Sequence, residues 1–184
     1  MLMSEDRATA DADRVKLLER MTFAFMQNVP HNVALGIEVL SLRKGRARMR
    51  LPFKATLCAP GEQAGIHDVV LTSLMDACCG AAVFMALDSP RPVATLDLRV
   101  DYLAAALWRQ AVIAEAHCYR VADGVAFVRC QAFHPGQDPT HKDRETLGQG
   151  ETLAEATGSF MLNTKEPGQG AVVEAAASAA ERMR

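Results

Sequence analysis

The chain has 184 residues, 49% of them apolar and 23% charged, with a net charge of −2; that is ample for one domain with a real core. The balance excludes a fibrous or wholly disordered chain and supplies no overall basic field for nucleic acid. Five cysteines, with Cys78 and Cys79 adjacent and no CxxC or Cys/His cluster at zinc spacing, read as reduced core thiols with no bound metal. The acidic start lacks the basic region and apolar stretch of a signal peptide, so a cytoplasmic protein is expected.

Residues 4–27 predict a helix, because Val15, Leu17, Leu18, Met21, Phe25 and Met26 recur at roughly helical spacing. Pro30 ends it, since the residue before proline avoids the helical region. Two strands are expected at 35–43 and 46–53, joined by a Lys44-Gly45 hairpin turn. The second alternates Arg46, Arg48 and Arg50 with Ala47, Met49 and Leu51, which predicts one basic, solvated face. After a Gly/Pro-rich loop over 58–65, residues 69–87 form a helix that is apolar all round, stopped by the run Asp88 to Pro92. Such a helix is buried or crosses a membrane.

The second half reads as antiparallel strands. Residues 94–102 alternate, with Ala94, Leu96, Leu98, Val100 and Tyr102 expected on one face and Thr95, Asp97, Arg99 and Asp101 on the other. Strands 110–121 and 125–133 flank Asp123-Gly124, a strong hairpin signal. Residues 134–150 read as an exposed loop and 151–162 as a last strand. The Gly/Ala-rich tail reads as disordered or a loose helix. The expected division is an N-terminal helical extension over 1–29, an α+β domain over 30–164, and a flexible tail over 165–184. In that domain a curled sheet wraps the apolar helix, which buries both at once.

Asp76 is the single ionisable carboxylate between residues 69 and 87. An ionised carboxylate is rarely buried without partners. It either lines a cleft and does chemistry, or is satisfied internally by a donor such as Thr72, one turn earlier. A membrane span is the poorest reading, because Asp near its midpoint costs about 2.5–3.5 kcal/mol on insertion. Residues Gly65-Ile66-His67-Asp68 precede the helix, where free backbone N–H groups favour developing negative charge. Asp76 lies about two turns further in, and a carboxylate near such an anion site suits acyl transfer.

The spacing of His67 and Asp76, nine residues apart in GIHDVVLTSLMDACCGAA, resembles the PaaI-like thioesterases, a branch of the hotdog superfamily that includes the 4-hydroxybenzoyl-CoA thioesterases. ATLDLRVDYLAAA, GVAFVRCQA and LAEATGSFML resemble the family's later strands, so the likeness runs over about 33–162. The resemblance implies a hotdog fold and hydrolysis of acyl-CoA thioesters without a metal or other cofactor, coenzyme A being part of the substrate. It also implies a homodimer or homotetramer with sites at the subunit interface. It makes Asp76 the nucleophile or the general base, the Asp68 backbone amide the group polarising the thioester carbonyl, and Thr95 the residue positioning water or carboxylate. His67, Asp68, Asp76 and Thr95 are thus the candidate catalytic residues. Gln63, Val69, Ala94, Arg120 and Arg129 are the candidates for binding substrate and CoA. Both glycines of the family's His-Gly-Gly segment are replaced here, by Asp68 and Val69.

Plainer readings stand beside these. His67 and Thr95 also fit ordinary structural roles, and Arg120 and Arg129 fit solvated surface charge. An acyl-CoA- or partner-binding hotdog protein without turnover is the rival function. A hydratase on acyl thioesters lacks its motif here.

Overall fold

The computed structural model describes residues 2–136 and 149–162. The elements follow in the order α1 (Leu2–Asn28), α2 (Pro30–Leu35), β1 (Glu38–Arg43), β2 (Arg46–Leu51), α3 (Asp68–Ala86), β3 (Val93–Tyr102), β4 (Val112–Ala122), β5 (Val125–Pro135) and β6 (Gln149–Leu162). A single 3-10 turn at Ala55–Leu57 interrupts the loop before α3. The six strands make one antiparallel sheet in the order β1-β2-β4-β5-β6-β3. β1 and β3 are its two edges. The tail expected over 165–184, and most of the loop expected over 134–150, lie outside the described residues.

The sheet curls around α3. Leu71, Leu74, Met75, Cys78, Cys79, Ala82 and Val83 are buried in one core with strand residues that mix small side chains (Ala47, Ala114, Ala116, Ala126) with larger ones (Met49, Leu51, Val112, Val128). Covering by the sheet is how an all-apolar helix loses its water. The helix has the length and hydropathy of a membrane span, yet half of that window is buried inside the protein. Its start is fixed by His67, whose Nδ1 accepts the Val69 N–H at 3.1 Å. Near its other end, the Gly45 N–H donates to the Met85 carbonyl at 3.0 Å and the Gly45 carbonyl accepts from Cys118 at 2.8 Å. The β1–β2 hairpin thereby satisfies a carbonyl that the last turn of α3 leaves unpaired.

Three local expectations change. The chain after α1 does not run straight into a strand. Pro30 starts the short α2, and Gly36 ends it in the left-handed region at φ 78°, so β1 begins only at Glu38. Proline at a first helical position and glycine just past the last one explain both limits. His134 is not in a loop. It is a buried residue of β5, where Nε2 accepts the Leu107 N–H and Nδ1 bonds the Ala111 carbonyl, both at 2.9 Å.

The third change concerns β3. Thr95 pairs with Phe160 and Asp97 with the adjacent Ser159, so Leu96 is an extra residue, a β-bulge. The bulge reverses the alternation of faces. Val93 and Thr95 before it, and Leu98 and Val100 after it, all turn toward α3, while Leu96 is exposed. The expected grouping of Thr95 with Asp97 and Arg99 on one face does not hold.

Candidate active site

α3 carries Ser73, Asp76, Ala77, Gly80 and Phe84 along one stripe, at the three- and four-residue spacings that share a helix face. This stripe escapes the sheet and lines a cavity of about 300 Å³. β3 and β6 contribute Val93, Thr95 and Phe160, and the N-terminal helices contribute Phe25, Met26, Val29, His31 and Asn32. The walls are mostly apolar with a few convergent polar groups, the usual make-up of a small-molecule site.

Asp76 is half-buried on that wall, and its Oδ1 accepts the Thr95 hydroxyl at 3.0 Å. The bulge at Leu96 makes this contact geometrically available. Ser73 stands one turn before Asp76, and its hydroxyl bonds back to the Val69 carbonyl at 3.4 Å. Thr72, considered above as an internal partner for Asp76, instead bonds the Asp68 carbonyl at 3.4 Å and the Tyr102 hydroxyl. Those bonds pin the first turns of α3 to the far end of β3.

The N-terminal wall is held firmly. Asn32 is buried, its Nδ2 donates to the Met26 carbonyl at 3.0 Å, and its own carbonyl accepts from Gly36 and Ile37. One amide side chain thus ties α2 to the end of α1 and satisfies a carbonyl of the last helical turn. Phe25 meets Phe84 edge to face, with centroids 5.6 Å apart. Sequence reasoning gave the first two helices no part in the site. The periodicity of Phe25 and Met26 marked a packed face without saying what it packs on.

The other candidate residues lie elsewhere. His67 and Asp68 are exposed at the start of α3, where His67 caps the helix and Asp68 is its first residue. The Asp68 amide, as a first-turn donor, is outside the i→i−4 ladder. Val69 is 65% exposed beside them. Gln63 is in the preceding loop with φ 55°. That loop is locked by Gly65, where any Cβ would collide with the Ala106 carbonyl. Ala94 pairs with Met161, and its side chain alternates away from that of Thr95.

Arg120 and Arg129 do not line the Asp76 cavity. The Arg129 guanidinium lies over the Tyr119 ring at 4.9 Å. It also lines a cavity of about 510 Å³ on the outer face of the sheet, with Arg46, Asp101, Glu115, His117, Gln131, Glu155 and Thr157. Burial, and then the charges of Arg46 and Arg129, hold His117 below its ordinary value. This outer face is not simply basic, because Arg50 pairs with Glu38 at 3.0 Å and Arg48 approaches Glu115 at 3.7 Å.

The thiols carry no activating partner. Cys130 is raised well above an ordinary cysteine, first by its hydrogen bonds with Cys78 and Cys79 and then by burial. Burial likewise raises Cys118. Among the described residues no group of three or more His, Cys, Asp or Glu is arranged to hold a metal ion.

An antiparallel sheet curled around one long apolar helix, with Asp76 on the helix stripe that the sheet leaves uncovered and Thr95 of β3 bonded to it, defines a hotdog-fold protein. Residues 65–140 match the thioesterase superfamily. A Pseudomonas aeruginosa protein of solved structure is 30% identical, with a TM-score of 0.63 over 78% of this chain and 98% of that one. The chain belongs to the thioesterase superfamily. The Escherichia coli PaaI protein from the phenylacetic acid degradation operon shares the fold at 18% identity, with a TM-score of 0.62 over 80% and 96% of the two chains. So does a hypothetical thioesterase from Streptococcus pneumoniae solved with coenzyme A, at 14% identity and TM-score 0.55 over 71% and 88%. Curated protein sequences give no match.

Proposed function

We propose that the protein is an acyl-CoA thioesterase that uses Asp76, hydrolysing a thioester to CoA thiol and a carboxylic acid. One observation carries this reading. Asp76, the one carboxylate of the core helix beyond its first residue, is oriented by Thr95 at 3.0 Å, on the wall of a largely apolar cavity of about 300 Å³. The superfamily match and a CoA-bound relative of the same fold support it.

As a general base, Asp76 takes a proton from water while the water oxygen bonds to the thioester carbonyl carbon. As a nucleophile, its carboxylate oxygen makes that bond, and water then cleaves the resulting anhydride. On either route the C–S bond breaks and the CoA sulfur leaves as thiolate, to be protonated. The carbonyl oxygen gains negative charge meanwhile and needs a donor. The Asp68 amide is the proposed donor, and a backbone N–H survives replacement of the family's glycine.

Asp68 and Asp76 are eight residues apart, which separates them by about 12 Å along the helix axis. No single carbonyl reaches both within one protomer. The site therefore needs two copies, Asp76 from one and the residue 68 amide from the other. The partner would add along β3, an unpaired ten-residue edge with apolar side chains exposed at Leu96 and Tyr102 and at neighbouring Leu103 and Val69. An exposed apolar edge is what strand addition covers. No metal is required in this scheme, and a cytoplasmic setting is proposed from the free thiols.

The test is thiol release across a panel of acyl-CoAs, with the acid product confirmed. Catalytic turnover supports the reading. CoA-ester binding without turnover on any of them points instead to a binding protein, for which the exposed Asp68 and Val69 at the helix start would be the cause.

A further inference from the structure

Gly80 stands in the middle of α3, where glycine costs about 1 kcal/mol relative to alanine. Two ordinary reasons for keeping one there are absent. Its φ is not in the left-handed region, and a Cβ placed on it would meet no atom within 4 Å. Gly65 is the opposite case, because backbone excludes any side chain there. Gly80 lies one turn beyond Asp76 on the same stripe, and the open space at its Cα belongs to the Asp76 cavity.

Phe25, Phe84 and Met26 line the same space, the two rings meeting edge to face, and Asn32 bonds the Met26 carbonyl. No Lys or Arg lines the cavity, and its volume sits at the lower end of the ~300–1,000 Å³ typical of small-molecule sites.

We propose that Gly80 is a specificity-determining residue: its missing side chain leaves room for the acyl group, and the wall formed by Phe25 and Phe84 limits that group to a compact, uncharged one. The inference rests on the thioester reading, because the acyl carbonyl has to sit at Asp76. It assigns the acyl end of the substrate to the α1–α2 side of the cavity. The N-terminal helices thereby become part of substrate selection.

The test compares wild type with Gly80→Ala and Gly80→Leu on straight-chain acyl-CoAs graded from acetyl upward. It reads thiol release, calorimetric binding, melting temperature and sedimentation. Wild type should favour short acyl groups over long ones. Gly80→Ala should melt higher, as a helix interior gains from alanine, and should trim the largest acyl group accepted. Gly80→Leu should lower the rate on the larger accepted groups about 10-fold or more relative to acetyl-CoA.

A uniform loss at every length, or an unchanged profile, overturns the proposal. So does dissociation of an oligomer with selectivity intact, which would mean that Gly80 admits a second copy of α3. Turnover with an unaltered profile sinks this inference and leaves the thioesterase reading standing. Binding graded by acyl size without any turnover does the reverse. Failure of wild type to bind any of the series rejects both.

Discussion

Thr95 donates to only one oxygen of Asp76, which leaves the other oxygen for water or substrate. The hydroxyl should therefore matter through orientation rather than through charge. Thr95→Val is expected to lower kcat by about 10-fold, since misplacing a catalytic group costs rate even when the group survives. Thr95→Ser should recover most of it, and full activity in Thr95→Val would remove the positioning role. The thiols give a second prediction at this scale. Cys78, Cys79, Cys118 and Cys130 are buried and Cys58 is half-buried, so titration with a thiol reagent should show at most one reactive group in the folded protein and five after unfolding. Asp76 was legible in the sequence because a single acid in an otherwise apolar helix demands an explanation. The cavity role of His31, Asn32 and Gly80 was not legible, because nothing local in the sequence says that α1 and α2 fold back across α3.

The bulge in β3 is the clearest case of an element the sequence misleads about. Strict alternation put Thr95 opposite Leu98, yet one extra residue places both toward α3. A bulge inserts no unusual residue type, so the pattern of Leu96, Leu98 and Val100 reads as an ordinary strand. Deleting Leu96 should straighten β3, turn Val93 and Thr95 outward, and reduce activity at least as far as Thr95→Val does. A deletion variant with wild-type activity would show that the bulge does not set the site. The boundary of β5 was missed for a different reason. His134 before Pro and Gly looks like a loop, but its ring bridges the Leu107 amide and the Ala111 carbonyl, making it part of the packed strand. His134→Ala should cost about 2 kcal/mol in chemical denaturation by leaving those groups unpaired. The hairpin at Asp123-Gly124 was readable because its φ angles of 52° and 78° require residues that tolerate the left-handed region.

On the scale of the whole molecule, the architecture followed from one requirement, that a helix apolar all round be covered by a sheet. The proposed two-copy site does not follow from that requirement, and rests on the distance between Asp68 and Asp76. Leu103→Asp, at the exposed end of β3, should halve the sedimenting mass and abolish turnover together; a monomer with full activity would reject the shared site. The outer face adds a pH dependence. His117 is held below its ordinary value, so between the folded and unfolded midpoints the unfolded chain binds more protons. Its contribution to stability is present above about pH 6.5 and fades as pH falls below it. Melting temperatures should drop on acidification from pH 7 to 5, and His117→Gln should flatten part of that slope.

The most direct test is kcat for the acyl-CoA best turned over, compared between wild type and Asp76→Asn at matched melting temperature and matched ligand binding. Loss of about 100-fold or more is the expected result, the scale of a removed proton acceptor or nucleophile. Equal rates in the two proteins would contradict the assignment of the chemistry to Asp76.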